Sequence, residues 1–257
     1  TETYAVFGDF TFDFSDQLSL SLGGRYTWDE RTAKILRQNY LGGGSPVFGG
    51  AGALFGAPST NFTGQRSFNK FTPRASLSFK PTPDHNIYVS FSQGFKGGGF
   101  DPRGVGVNAP DSNGNGVRED SEIAAFLGFR PESVDSYEIG YKASLFDRRL
   151  SLALAAFRMD YSDVQIPGSS GCVVNGIATF CGVITNAGKA RFQGLELEAT
   201  ARVGDALTLS GALGYIDAEY KEYITQIAGR GPVDVAAFRE VQNTPKVTAT
   251  GTIAYTT

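Results

Sequence analysis

At 257 residues and 41% hydrophobic content, the chain is long enough for one large domain or two small ones. Its net charge of −3 at pH 7 lacks the basic excess of a nucleic-acid protein, and no run of about 18 apolar residues is present, so nucleic acid is excluded as a partner and no transmembrane helix is predicted. With 33 Gly, 20 Phe and 11 Tyr against one Met, one Trp and one His, the composition suits long strands with one apolar and one polar face. Strand pattern starts at Tyr4 with no charged n-region or apolar h-region before it, so any secretion signal is expected upstream or already removed.

Tyr4, Val6, Phe10, Phe12 and Phe14 alternate with Asp9, Thr11 and Asp13, the period-two signature of a strand. Ser15-Asp16 turns into a second strand, with Leu18, Leu20, Leu22, Tyr26 and Trp28 opposite Ser19, Ser21, Arg25 and Thr27. A Gly-rich connection spans about 31 to 67; stretches of this length without structure of their own are uncommon and usually functional or disordered. Phe71, Ala75, Leu77 and Phe79 then face away from Thr72, Arg74, Ser76 and Ser78. After the turn at Pro81 to Asp84, Ile87, Val89, Phe91 and Phe95 face away from Tyr88, Ser90 and Ser92, and a second long connection covers about 96 to 131.

From Ser133 to Ile166 the chain reads as two long strands joined by a turn at Phe146-Asp147-Arg148. Tyr137, Ile139, Tyr141, Ala143 and Leu145 share one face, and Leu150, Leu152, Leu154 and Ala156 continue it. The apolar phase then slips to Phe157, Met159 and Tyr161, which predicts a β-bulge near Ala156. Each arm alternates over about a dozen residues, twice the usual strand of a soluble domain, and about ten tilted residues cross a bilayer.

A third connection, about 167 to 184, holds Cys172 and Cys181, whose spacing in a Gly/Ser-rich stretch predicts a local disulfide in an oxidising compartment, with two free thiols as the alternative. Leu195, Leu197, Ala199, Ala201 and Val203 then alternate with Glu196, Glu198, Thr200 and Arg202. Gly204-Asp205 turns into Leu207, Leu209, Leu213 and Tyr215, a fourth long connection covers about 222 to 243, and a ninth strand runs from Val247 to Tyr255. Short turns and long connections thus alternate strictly, which predicts an all-β fold: a transmembrane antiparallel β-barrel segment with short periplasmic turns and long extracellular loops. Tyr26, Trp28, Tyr161 and Tyr215 are candidates for its outer aromatic girdle. A soluble β-sandwich would have shorter strands and turns of similar size at both ends.

Three segments carry a resemblance to a known family: Phe71 to Arg103 (FTPRASLSFKPTPDHNIYVSFSQGFKGGGFDPR), Pro131 to Ile166 (PESVDSYEIGYKASLFDRRLSLALAAFRMDYSDVQI) and Asn186 to Val203 (NAGKARFQGLELEATARV). They resemble middle-to-late strands of TonB-dependent outer-membrane receptors, and with the strands between them the likeness covers nearly all of residues 1–257. The resemblance implies a 22-stranded barrel of which this chain is a portion, in the Gram-negative outer membrane and against its lipid. It also implies a preceding plug, energy from the TonB complex acting through that plug, and import of a scarce nutrient such as an iron-siderophore, cobalamin or an oligosaccharide. The chain departs from the family in showing no plug-like region, no TonB box and no terminal aromatic strand end.

Several residue sets are candidates for function. Asp111, Asn113, Asn115, the Val117 carbonyl and Glu122 match a calcium-loop spacing, with Gly116 at the sharp turn and a short helix expected from Glu122 to Phe129; Asn-Gly turn chemistry is the plainer reading. Arg25, Arg74, Tyr88, Glu138, Lys142, Glu196, Glu198 and Arg202 are expected to face the lumen, where most hydrate the interior or pair across strands and some contact plug or ligand. The stretch from Phe95 to Phe100 reads as an aromatic gate or, more simply, a loop base needing glycine dihedrals. His85, the only histidine, sits beside a turn with no Ser-centred motif, so its role is expected to be structural and no catalysis is predicted. A passive porin, or less strongly an outer-membrane enzyme, is the rival reading.

Overall fold

The computed structural model describes the backbone of residues 1–174, 177–227 and 230–256, and the side chains of all of these except 168–174, 177–181, 183, 187 and 226. In chain order the strands are β1 (Glu2–Asp13), β2 (Leu18–Leu41), β3 (Ala53–Thr82), β4 (His85–Lys96), β5 (Gly99–Phe100), β6 (Gly128–Phe129), β7 (Glu132–Leu145), β8 (Leu150–Val174), β9 (Ile177–Val203), β10 (Leu207–Ile227), β11 (Gly231–Asp234) and β12 (Val247–Tyr255), with one helix, α1 (Asp120–Leu127). The long strands form one antiparallel sheet in the order β1-β2-β3-β4-β7-β8-β9-β10, where β10 pairs both β11 and β12. Each pairs with its long neighbour in sequence, as hairpins joined by short turns demand.

The register shows why alternation dictates this sheet. Leu197 stands beside Leu154 and Leu213, Leu154 beside Tyr141, and Tyr141 beside Ile87, while the adjacent row carries Glu198, Ala153, Lys142 and Asn86. The apolar face has nothing packed on it: Ile139, Leu195 and Leu213 are each at least 50% exposed. Its area far exceeds any patch a water-soluble surface tolerates, so this face requires hydrocarbon.

Toward the long connections the apolar belt ends at Tyr26, Trp28, Phe91, Tyr137 and Tyr215, above which the same face becomes polar. There the Gln93 side-chain amide donates to Asp135 at 2.7 Å, and Asp160 accepts from Arg158 at 2.8 Å and Arg191 at 2.7 Å. On β9 the belt runs from Leu195 to Val203, the length a tilted strand needs to cross a bilayer.

Three expectations are corrected. No bulge lies near Ala156: pairing with β7 and β9 runs unshifted to Tyr161, and the first irregularity falls between Tyr161 and Val164, where Asp163 has φ 54°. Phe157 stays on the polar face because it lies opposite Gly194, where a Cβ would come within 2.9 Å of its ring. Tyr161 consequently faces the lumen side, meeting the Phe192 ring at 5.3 Å, and does not join the girdle. The connections at 31–67 and 167–184 are mostly hairpins, since β2 and β3 pair up to Leu41 and Ala53, and β8 and β9 up to Val174 and Ile177.

Leu197→Arg should destabilise folding into lipid vesicles by about 2–4 kcal/mol, since it puts a charge near the midplane of the lipid face. Glu198→Gln, one residue away on the polar face, should cost much less. Urea titration of vesicle-reconstituted protein checks both.

Candidate functional site

The eight polar candidates occupy one face of the sheet, but they do not form one cluster, and only some of them make local pairs. Arg74 pairs with Asp9 across Gly23, where a Cβ would intrude within 2.5 Å of the Asp9 carboxylate. Tyr88 donates its hydroxyl to Glu138 Oε1 at 2.6 Å, and the Lys142 ammonium sits 5.5 Å from the Tyr88 ring centre. Arg25 donates to Thr27 at 3.1 Å. Glu196, Glu198 and Arg202 make no ion pair among the described residues.

The 97–130 connection folds inward onto this polar face at its loop end. Its anchor is a small apolar core outside the belt, made of Ile35 and Phe62 from β2 and β3 with Phe100, Ala109, Ile123 and Leu127 from the connection. Ile35 and Phe62 pair in the same unshifted register as Arg25, so they belong to the lumen face, and the connection lies over the mouth. Phe100 meets Phe62 edge-on at 5.1 Å. Its ring is one of the anchors of this core.

The glycines before it are needed for close approach rather than for left-handed dihedrals: none of Gly97, Gly98 and Gly99 has positive φ, yet a Cβ at Gly97 would reach within 2.7 Å of Arg31 and one at Gly98 within 2.6 Å of Phe68. Polar clamps complete the seat. The Gln165 side-chain amide donates to the Gly97 and Arg130 carbonyls at 3.0 and 3.1 Å, and Thr60 Oγ1 accepts from Gly106 N–H at 2.7 Å.

Asp101 was not singled out by sequence reasoning, yet it is fully buried in this seat. Its carboxylate accepts from the Arg103 backbone N–H at 3.0 Å and from the guanidinium Nε and Nη2 at 3.0 and 2.9 Å. Burial pushes its carboxyl up, and the Arg103 bonds outweigh burial, leaving it below the usual carboxylate range. Only the Asp-x-Arg spacing signals it in sequence.

In the candidate calcium loop, Asp111 Oδ1 and Oδ2 accept from Gly114 and Gly116 N–H at 2.7 and 2.8 Å, and Arg118 pairs with Asp111 at 3.0 Å. Asn113 and Asn115 accept from Asn115 and Val117 N–H, at 3.0 and 2.8 Å. The structure therefore winds Asp111 to Val117 into consecutive turns. Glu122 lies behind them on α1, accepting from the Ser112 hydroxyl and N–H at 2.7 and 2.6 Å and from the Glu119 N–H at 3.2 Å, which closes a capping box. Chiefly through the Ser112 hydroxyl, its carboxyl is pulled down to about 2. The Gly116 N–H above all, with Gly114 and Arg118, holds Asp111 below its ordinary value as well.

At the turn end, His85 Nδ1 lies 2.7 Å from the Tyr141 hydroxyl. The Cys172 and Cys181 side chains lie outside the described residues; the backbone register sets Cys172 against Thr179 and Cys181 against Ser170.

A sequence model of the family described as "TonB dependent receptor-like, beta-barrel" matches residues 1–257. The metal-pseudopaline receptor CntO of Pseudomonas aeruginosa (strain UCBPP-PA14) is 30% identical over 60% of this chain and 18% of its own length. The probable TonB-dependent receptor BfrD of Bordetella pertussis is 25% identical over 85% of this chain and 24% of its own. The chain thus spans about a fifth to a quarter of these relatives. The crystal structure of the ferric yersiniabactin uptake receptor FyuA from Yersinia pestis superposes with a TM-score of 0.63 at 19% identity, over 98% of this chain and 30% of that one, and shows the fold alone.

Glu122 titrates near 4.5 when unfolded and near 2 in place, so its contribution is complete above pH 4.5 and is lost as pH falls toward 2. Amide exchange across 111–127, corrected for the intrinsic rate, should rise over that window. Glu122→Gln should move much of that rise to neutral pH while leaving the exchange of β7 to β9 unchanged.

Proposed function

Because the chain belongs to the TonB-dependent receptor β-barrel family, we propose that it forms part of the wall of an outer-membrane receptor that binds a metal chelate of the siderophore class and imports it with TonB-transduced energy. Members of the family are receptors and transporters rather than enzymes. The observation that carries the proposal is the inward-folded 97–130 connection, seated over a polar lumen beside tall hairpins. A segment fixed this way presents a ready-made surface to ligand and lowers the entropy cost of capture. The polar face below it, with charges paired locally and wetted, offers a surface along which a plug can move without breaking an apolar seam. Cobalamin and oligosaccharides are the other nutrient classes the family resemblance offered; relatives such as the metal-pseudopaline receptor favour a chelate.

The proposal extends to calcium in the 111–122 loop, held by Asp111, Asn113, Asn115, the Val117 carbonyl and Glu122. The oxygen spacing supports it, as do two carboxylates kept ionised well below neutral pH. Calcium there would supply charge to order the loop in place of Arg118, which now neutralises Asp111.

Two measurements test these readings. Cells carrying the full receptor should accumulate a labelled ferric siderophore only while the proton-motive force and TonB are intact; uptake that survives an uncoupler would mean a passive porin. Calcium titrated into the purified receptor should release heat, and Arg118→Gln should tighten binding several-fold. Absence of heat in both proteins would leave the loop as turn chemistry.

A further inference from the structure

At the opposite end of the belt, the β3–β4 and β7–β8 turns enclose a hollow of about 600 Å³, whose lining includes Asp84, His85, Leu145, Phe146, Asp147 and Arg148. The Ser144 N–H donates to the Asp84 carbonyl at 2.9 Å and ties the two turns together. Register puts the hollow at the edge of the lipid, because His85 and Leu145 extend the outward rows of Ile87 and Tyr141 at two-residue steps. The His85 and Tyr141 rings stack at 5.9 Å and 24°, with Nδ1 2.7 Å from the hydroxyl. Such a pair, apolar in body and polar at its tip, suits the level at which hydrocarbon gives way to headgroups.

The β7–β8 turn is strained. The Arg149 N–H donates to the Phe146 carbonyl at 3.0 Å, closing a turn with Asp147 and Arg148 at its centre, and Phe146, Asp147 and Arg148 have φ of 54°, 54° and 63°. Phe and Arg seldom hold left-handed backbone, whereas glycine does so freely, and the β9–β10 turn uses Gly204 at φ 66°. Strain of this kind clusters at ligand clamps. Here it sets Phe146, 74% exposed, beside Leu145, and Arg148 Nε 3.7 Å from Asp84 Oδ1. An exposed ion pair at that spacing is weak, so a ligand carrying both charges can take each partner without opposing a strong bond. The lining sets one guanidinium against two carboxylates, which disfavours a net anion and suits a zwitterion. When the Tyr141 hydroxyl donates to Nδ1, the His85 ring carries its proton on Nε2 and adds a donor for an oxyanion. We propose that this hollow seats the headgroup of one phosphatidylethanolamine molecule of the inner leaflet. Its ammonium lies on Asp84 and Asp147, its phosphate on Arg148 and His85, and its acyl chains run up the belt past Leu145 and Tyr141. A trimethylammonium has no N–H to give the carboxylates, and a phosphoglycerol headgroup has no cation to offset them.

The test titrates the full receptor in detergent with dioctanoyl phospholipids that differ only in headgroup, ethanolamine, choline or glycerol, and reads bound lipid by native mass spectrometry. The ethanolamine lipid should be held about tenfold more tightly than the glycerol lipid and several-fold more tightly than the choline lipid. Asp84→Asn combined with Asp147→Asn should erase the preference over choline and tighten the glycerol lipid, and asparagine keeps the turn because it tolerates left-handed backbone. Arg148→Gln should weaken all three. Arg148→Gly relaxes the strained backbone, so it should raise the melting temperature while lowering retention of the ethanolamine lipid; a purely structural turn would change the first alone. Equal retention of the three lipids, tightest retention of the glycerol lipid, or an ethanolamine preference unchanged in these variants would overturn the inference, the last by placing the lipid elsewhere on the belt. The readout is lipid rather than nutrient, so its failure leaves the proposed function standing.

Discussion

Every backbone N–H and C=O inside a bilayer must find a partner within the protein, because hydrocarbon offers none. No helix among the described residues is long and apolar enough to cross a membrane, and a sheet meets that demand only where its strands pair on both sides. The rest of the architecture follows. Once β2 to β10 are paired edge to edge, each residue has only two places to go, and the alternation of leucines and aromatics with serines, threonines and charges assigns one face to lipid and the other to water. A one-residue slip would turn Glu196 and Glu198 into the belt, so register is held as strongly as the fold itself.

The same constraint explains why the hydrophobic core found among the described residues lies outside the apolar belt. The belt contributes outward apolar surface but nothing to pack against it, so the hydrophobic contacts that resemble a soluble protein's gather where the 97–130 connection folds over the β2–β3 hairpin. A segment with few apolar residues is ordered there by concentrating them. Phe100, Ile123 and Leu127 supply the contacts, Asp101 and Arg103 tie the connection internally, and Gln165 and Thr60 bond the backbone that the apolar residues cannot satisfy.

The belt was legible in the sequence because its signal is local: a residue and its second neighbour report the same face wherever the chain is extended. Nine long strands and their short turns could be read in this way. The upper hairpins were harder, since their strands stand above the lipid, where neither face has to be apolar and the alternation fades. The Phe157 phase error has a related cause. An aromatic residue on the polar face looks like a slip until its partner across the strand is known to be Gly194, a fact that lies far along the chain. Asp101 was only half legible: the Asp-x-Arg spacing hints at its pairing with Arg103, whereas its complete burial depends on how the 97–130 connection packs, which no spacing rule encodes.

The β2–β3 hairpin continues from Trp28 to Leu41, well past the girdle, and at roughly 3.3 Å per residue this is about 40 Å of strand. A projection of that reach stands clear of lipid headgroups and exposes its end to the water beyond them. Its tip, the turn around Pro46–Phe48, takes no part in the core beneath it, and Val47 and Phe48 are among the most exposed apolar residues in the chain. The tip and the base are thus physically separated along one hairpin: a change at Val47 or Phe48 leaves untouched the contacts that keep Ile35 and Phe62 in place.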